Sequence, residues 1–151
     1  KERLGHLARQ VHGTVTTLRT PNLWTQIPFL LSPVCEKYLE IALQQESNQE
    51  LAQVGDAALR MVIREHYYDK KVSAETIQDI DSDLGNNKYL AKIAFNDLKL
   101  NHIVRSNSGL NRNLLITKTY ADTLEAIIGA MYKTDGLVNV RPFVKKWIIK
   151  E

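Results

Sequence analysis

The stretch NQELAQVGDAAL, residues 48–59, sets Asp56 directly behind Gly55 on a helix of small and apolar residues. Side chains three, four and seven apart share one face of a helix, so Asp56 shares its face with Gln49, Ala52, Gln53, Arg60 and Ile63. The pattern continues to about Tyr68, with Leu51, Val54, Ala58, Met61, Val62 and Glu65 along one side. An acid among such small residues needs a reason.

A second stretch repeats the arrangement. In YADTLEAIIGAMY, residues 120–132, Asp122 and Glu125 share a face with Ala126 and Gly129 on a helix expected from about Thr117 to Tyr132. Ala52, Gly55 and Ala57 on the first helix, and Ala121, Ala126, Gly129 and Ala130 on the second, allow close backbone approach. The two helices can therefore cross with their carboxylates facing each other. Three acids in one cleft repel, and burying them costs several kcal/mol without positive compensation. A hard divalent cation supplies it, and Mg²⁺ in particular takes oxygen ligands, keeps waters and meets phosphate oxygens. The spacing leaves another arrangement open, in which Asp56 caps a helix after Gly55 while Asp122 and Glu125 are first-turn acids of the next.

Elsewhere the chain reads as further helices. A short helix is expected near residues 1–12, followed by an irregular segment that tucks Trp24, Phe29 and Leu30 onto a core. Ser32-Pro33 offers an N-cap and first-turn proline for a helix running to about Gln45. Ser73 opens another helix that stops near Gly85, NKYLAKIAFNDL carries Leu90, Ile93, Ala94 and Leu98 at helical spacing, and RSNSGLNRN is a loop. After the break at DGL, a last helix ends near Lys150, packed down by Phe143, Val144 and Trp147. No run alternates like a strand for more than a few residues, so the fold class is all-α.

Composition narrows the function classes. The 151 residues suffice for one domain with a real core, and no apolar run approaches the roughly 20 residues needed to span a bilayer, so no membrane role is expected. The single Cys35 excludes an internal disulfide and a cysteine-rich metal site; with no signal-peptide pattern, an intracellular location is expected. The four histidines show no metal-ligand spacing. Residues 101–151 hold eight basic against four acidic residues, a bias that suits a polyanionic partner.

At its two acidic stretches the chain resembles the ribonuclease III family. NQELAQVGDAAL is similar to that family's signature helix, NERLEFLGDAVL, and ADTLEAIIGAMYKTDG to its second acidic segment, ADxxEALIGAxYxDGG. Between them LGNNKYLAKIA sits where the family has a segment like RxNxxLAxxA, and Lys118 stands where a lysine usually precedes the second segment. The likeness covers about residues 34–150, which sets apart residues 1–33 as an extension and 34–151 as the family-like domain. No double-stranded-RNA-binding domain is seen.

The resemblance implies a metal-dependent endoribonuclease that cleaves double-stranded RNA, leaving a 5′-phosphate and a 3′-hydroxyl. It implies a homodimer, here through residues such as Leu51, Val54, Leu59 and Met61 unless these fill the chain's own core. Asp56, Asp122 and Glu125 match three of the family's ligands for Mg²⁺ or Mn²⁺, with Asp56 and Glu125 in the catalytic role. Lys118, Arg112, Arg60 and Arg64 are the candidate RNA contacts.

The departure is local. The family's two signature glutamates fall on Gln49 and Ala52, and Glu50 cannot replace them because it points about 120° away from Asp56. Losing a positioned ligand weakens metal control and rate. The alternative expectation is thus a catalytically inactive protein of this fold that binds structured RNA, as a ribosomal or RNA-processing component.

Overall fold

The computed structural model describes residues 23–103 and 112–151. Its helices are α1 (Glu36–Ala42), α2 (Gln49–Asp69), α3 (Ala74–Gly85), α4 (Asn87–Lys92), α5 (Arg112–Asp135) and α6 (Leu137–Val144). Short π-helical turns, Ile93–Asp97 and Lys145–Ile149, extend α4 and α6. Among the described residues there is no strand, as the all-α expectation requires.

The long helices α2 and α5 form the central packed pair; α3 lies on α2, α1 and α4 lie on α5, and α6 contacts both. Two glycines set their approach. Gly55 of α2 lies against the carbonyl of Glu125, and Gly129 of α5 against the carbonyl of Leu51. Leu59, Val62 and Ile63 of α2 and Leu124, Ile127 and Ile128 of α5 belong to one core, all at most 1% exposed. Burying each such side chain contributes about 1.5–3 kcal/mol, so the crossing is also the main stabilising contact. Leu90 and Ile93 close one side, and Phe143, Val144 and Ile148 another.

Several local signals act as read. The Ser73 hydroxyl accepts from the Thr76 amide at 3.3 Å and caps α3, which ends at Gly85. Phe29 and Leu30 are buried, Phe29 tilted against Phe143 at 6.2 Å, and Trp24 packs at the core's edge. Gly136 adopts φ +67° between α5 and α6, a left-handed conformation glycine enters without steric cost.

Others are corrected. Ser32 caps no helix: its hydroxyl donates to the Asn139 side chain, while the Asn139 amide donates to the carbonyls of Pro33 and Met131. A buried asparagine needs partners, and it draws Ser32 away from α1, which starts later, after Cys35. The buried face of α2 runs through Ala52, Gly55, Ala58, Leu59, Val62 and Ile63, which keeps Ala58 and Val62 of the expected line but turns Met61 out, 55% exposed. Leu59, fully buried in the chain's own core, is thereby removed from the expected dimer contacts. The helix expected from Thr117 starts earlier, at Arg112. The expected helix at residues 1–12 and most of the RSNSGLNRN loop lie outside the described residues.

Candidate metal and RNA site

Asn48 fixes where the site begins. It is 1% exposed, and its amide donates to the Ala42 carbonyl at 2.9 Å and the Thr123 hydroxyl at 3.3 Å. The end of α1, the start of α2 and the middle of α5 are thus tied together one residue before Gln49. From there α2 runs unbroken through Gly55 and Asp56, and α5 runs unbroken through Asp122 and Glu125. Neither set of acids sits at a helix start, so the capping arrangement left open by the spacing is excluded.

A cleft of about 400 Å³ opens along this crossing. Gln49, Ala52, Gln53, Asp56 and Arg60 line it from α2, Asp122 and Glu125 from α5, with Gly85 and Asn87 from α3 and α4. All three expected acids and both divergent positions therefore share one cavity. Asn87 was not singled out in the sequence; it entered the cleft only because α4 turns back onto α5.

The acids are not equivalent. Glu125 is 8% exposed and lies beside Asp56 and Asp122, whereas the Asp56 side chain is 41% exposed. Burial, then the neighbouring Asp56 carboxyl group and the charge of Asp122, push the Glu125 pKa up to about 8, with Arg60 opposing. At neutral pH Glu125 holds its proton. Asp122 stands beside both acids but turns to Lys118 at 2.7 Å and to the Gln49 amide at 3.1 Å. Among the described residues no three His, Cys, Asp or Glu side chains group closely enough to hold one ion. The arrangement is a pair, Asp56–Glu125, with Asp122 as its neighbour.

Positive charge is already present. Arg60 Nε donates to Asp56 Oδ1 at 3.1 Å, and its other nitrogens reach Asp81 and the Gly85 carbonyl. Asp81 is 2% exposed and also accepts from Arg64 at 2.9 Å. Its burial was legible in principle, since it lies on the apolar face with Ile77 and Leu84, but its partners on α2 were not. Arg60 is thus engaged within the cleft rather than offered to RNA, whereas Lys118 and Arg64 have side chains 61% and 58% exposed. The Arg112 side chain lies outside the described residues. Asp56 faces Arg60, Asp122 faces Lys118, and Glu125 holds a proton, so the cleft is balanced by its own groups.

The donor set fits a hard cation. It offers carboxylate and amide oxygens and no sulfur or imidazole, and a divalent ion there would relieve the repulsion between Glu125 and the neighbouring Asp56 and Asp122.

Residues 49–136, from the first turn of α2 to the glycine after α5, match the model of the ribonuclease III domain. The chain belongs to the ribonuclease III family. It is 36% identical over 107 residues to ribonuclease 3 of Chlorobium luteolum, covering 68% of this chain and 38% of that protein. It is 30% identical over 102 residues to ribonuclease 3 of Aliarcobacter butzleri, covering 65% of this chain and 45% of that protein. The chain therefore spans about two fifths of the length of the curated relatives it matches.

The fold is similar to the crystal structure of the nuclease domain of ribonuclease III from Campylobacter jejuni. The TM-score is 0.72 at 27% identity, with 87% of this chain and 96% of that one covered. A second structure of that domain, with a TM-score of 0.71, 27% identity and cover of 82% and 92%, is described for flexibility in its dimer-forming region. Among the described residues of the present chain, no helix is long and apolar enough to cross a membrane.

Proposed function

We propose that this chain is a ribonuclease III-type endoribonuclease domain that hydrolyses double-stranded RNA with Mg²⁺ or Mn²⁺, at a rate reduced by Gln49 and Ala52. The observation that carries this is the convergence of Asp56, Asp122 and Glu125 from two crossing helices on one cleft, which is large enough for a phosphate and its waters. Glu125 is buried beside two further acids, and its raised pKa shows that its charge is disfavoured in the metal-free cleft, which argues for a cation that compensates it.

Asp56 and Glu125 would hold the ion, and Asp122 joins them once Lys118 releases it. Bound there, a divalent ion supplies an activated water and stabilises charge on the phosphate under attack. Glu125 gives up its proton on binding. Gln49 keeps Asp122 oriented through its amide, and the space beside Ala52 admits water where a carboxylate would have ligated. Lys118 and Arg64 meet phosphates of the duplex, which is read by backbone and shape rather than base edges. A second copy of the chain pairs through the exposed side of α2, where Met61 projects and Val54 is half-buried, while Leu51 packs on Gly129 of α5.

A second reading is a non-catalytic RNA-binding component, favoured by Ala52 and by a cleft whose acids are already met by Arg60 and Lys118. One experiment separates the two: incubation of long duplex RNA with Mn²⁺ and the protein, beside an Asp56→Asn/Glu125→Gln double variant. Cleavage by the first alone supports the enzyme. Equal cleavage by both, or none by either, overturns it, and RNA retardation without cleavage then supports the second reading.

A further inference from the structure

Arg60 lies four residues after Asp56 on α2, a spacing that usually gives a mobile surface ion pair of little consequence. Here the guanidinium is fixed independently of Asp56. Its Nη1 donates to Asp81 Oδ2 at 2.9 Å and to the Asp81 carbonyl at 3.2 Å, and its Nη2 donates to the Gly85 carbonyl at 3.1 Å. Asp81 is almost fully buried, so this anchor does not drift. Gly85 completes the seat: a Cβ there would stand 2.7–2.8 Å from three guanidinium atoms. The planar fork fills three anchors on α3, leaving Nε for Asp56.

We propose that Arg60 is a positioning residue and the resident counter-charge of the cleft, holding Asp56 in place and weakening the cleft's hold on divalent cations. This rests on the reading of the cleft as a divalent-cation site. A fixed positive charge 3.1 Å from one ligand oxygen repels a second cation on the same carboxylate. The side chain is 32% exposed, so solvent screens the repulsion in part, and a change of about tenfold in affinity is the scale to expect.

The test is calorimetric titration of Mn²⁺ alone into the protein and into Arg60→Gln, Arg60→Lys and Gly85→Ala, with melting in the absence of metal. Arg60→Gln should bind Mn²⁺ about tenfold more tightly while melting at or below the parent temperature, and Arg60→Lys should stay near the parent affinity. Gly85→Ala displaces the guanidinium while leaving every charge, and should tighten binding in the same direction, which keeps the test open if Arg60→Gln does not fold. A merely structural arginine would lower affinity and stability together. Unchanged or weaker binding in both Arg60→Gln and Gly85→Ala, with binding intact in the parent, overturns this proposal alone. No Mn²⁺ binding by any of the four proteins overturns the cation site and this proposal with it.

Discussion

Gly55 on α2 rests against the backbone carbonyl of Glu125 on α5, with no room for a side chain between them. That contact joins the fold to the chemistry, because the residue after Gly55 is Asp56 and the carbonyl belongs to its carboxyl partner. Gly55→Ala should therefore be severe, although alanine is the better helix former by about 1 kcal/mol. A Cβ would overlap backbone rather than a movable side chain, so a net loss of about 3 kcal/mol is expected. At this chain length that is a fall of roughly 6–12 °C in melting temperature. Melting within about 2 °C of the parent would show that the helices can slide apart freely.

Buried Glu125 sets a pH dependence. In the folded, metal-free protein Glu125 keeps its proton to about pH 8, whereas in the unfolded chain it releases it near its ordinary 4.5. Between these values the unfolded chain binds fewer protons, so stability falls as pH rises. The contribution is present in full below about 4.5 and lost above about 8. The loss should be on the order of 3 kcal/mol, read as the difference between the parent and Glu125→Gln in urea unfolding at pH 5 and pH 8. Added Mn²⁺ should reverse the slope, because the ion binds the deprotonated pair. Parallel pH profiles for parent and variant would remove the buried proton.

Much of this was legible in sequence because helices announce themselves locally. The cap at Ser73, the stop at Gly85 and the continuous run of α2 depend on nearest neighbours. The crossing was legible from Gly55 and Gly129, since small residues at helical spacing say where backbones approach. What the spacing did not carry is the partner. Ser32 looks like a cap until Asn139, over a hundred residues away, takes its hydroxyl. Arg60 looks like an RNA contact until α3 folds back and presents Asp81 and Gly85 to it. The stripe of α2 was read correctly at Ala58 and Val62 but placed too far round at Met61 for the same reason: Ala52 and Gly55 bury little area themselves, and only the position of α5 makes theirs the inner face.

The two kinds of ion pair should separate in stability. Glu65 and Arg141 bond bidentately at 2.9 and 3.2 Å, but each side chain is 38% exposed. Glu65→Ala should cost no more than about 1 kcal/mol. Asp81 is buried and meets two arginines, so Asp81→Ala strands charge and should cost about 3 kcal/mol. Equal midpoints in urea for the two variants would mean that Asp81 is not a structural anchor, and the fixed position of Arg60 would lose its support.

Restoring a carboxylate asks most directly what the cleft lacks. Ala52 is 5% exposed, lines the cleft, and lies one helical turn before Asp56 on the same face. A glutamate there can extend into the cavity beside Asp56 without disturbing the Gly55 contact. Ala52→Glu should raise Mn²⁺ affinity by about 10–100-fold and increase duplex-RNA hydrolysis. It should also lower metal-free stability, because a further acid joins a cleft balanced by Arg60 and Lys118 alone. Gln49→Glu should do less, since Gln49 already serves Asp122 through its amide and sits at the cleft's outer edge. The decisive comparison is the sign of two changes in one protein: calorimetry must show tighter Mn²⁺ binding while melting without metal shows a loss. A variant that gains neither affinity nor activity would mean that Ala52 does not face the ion, and the family's ligand geometry would not apply to this cleft.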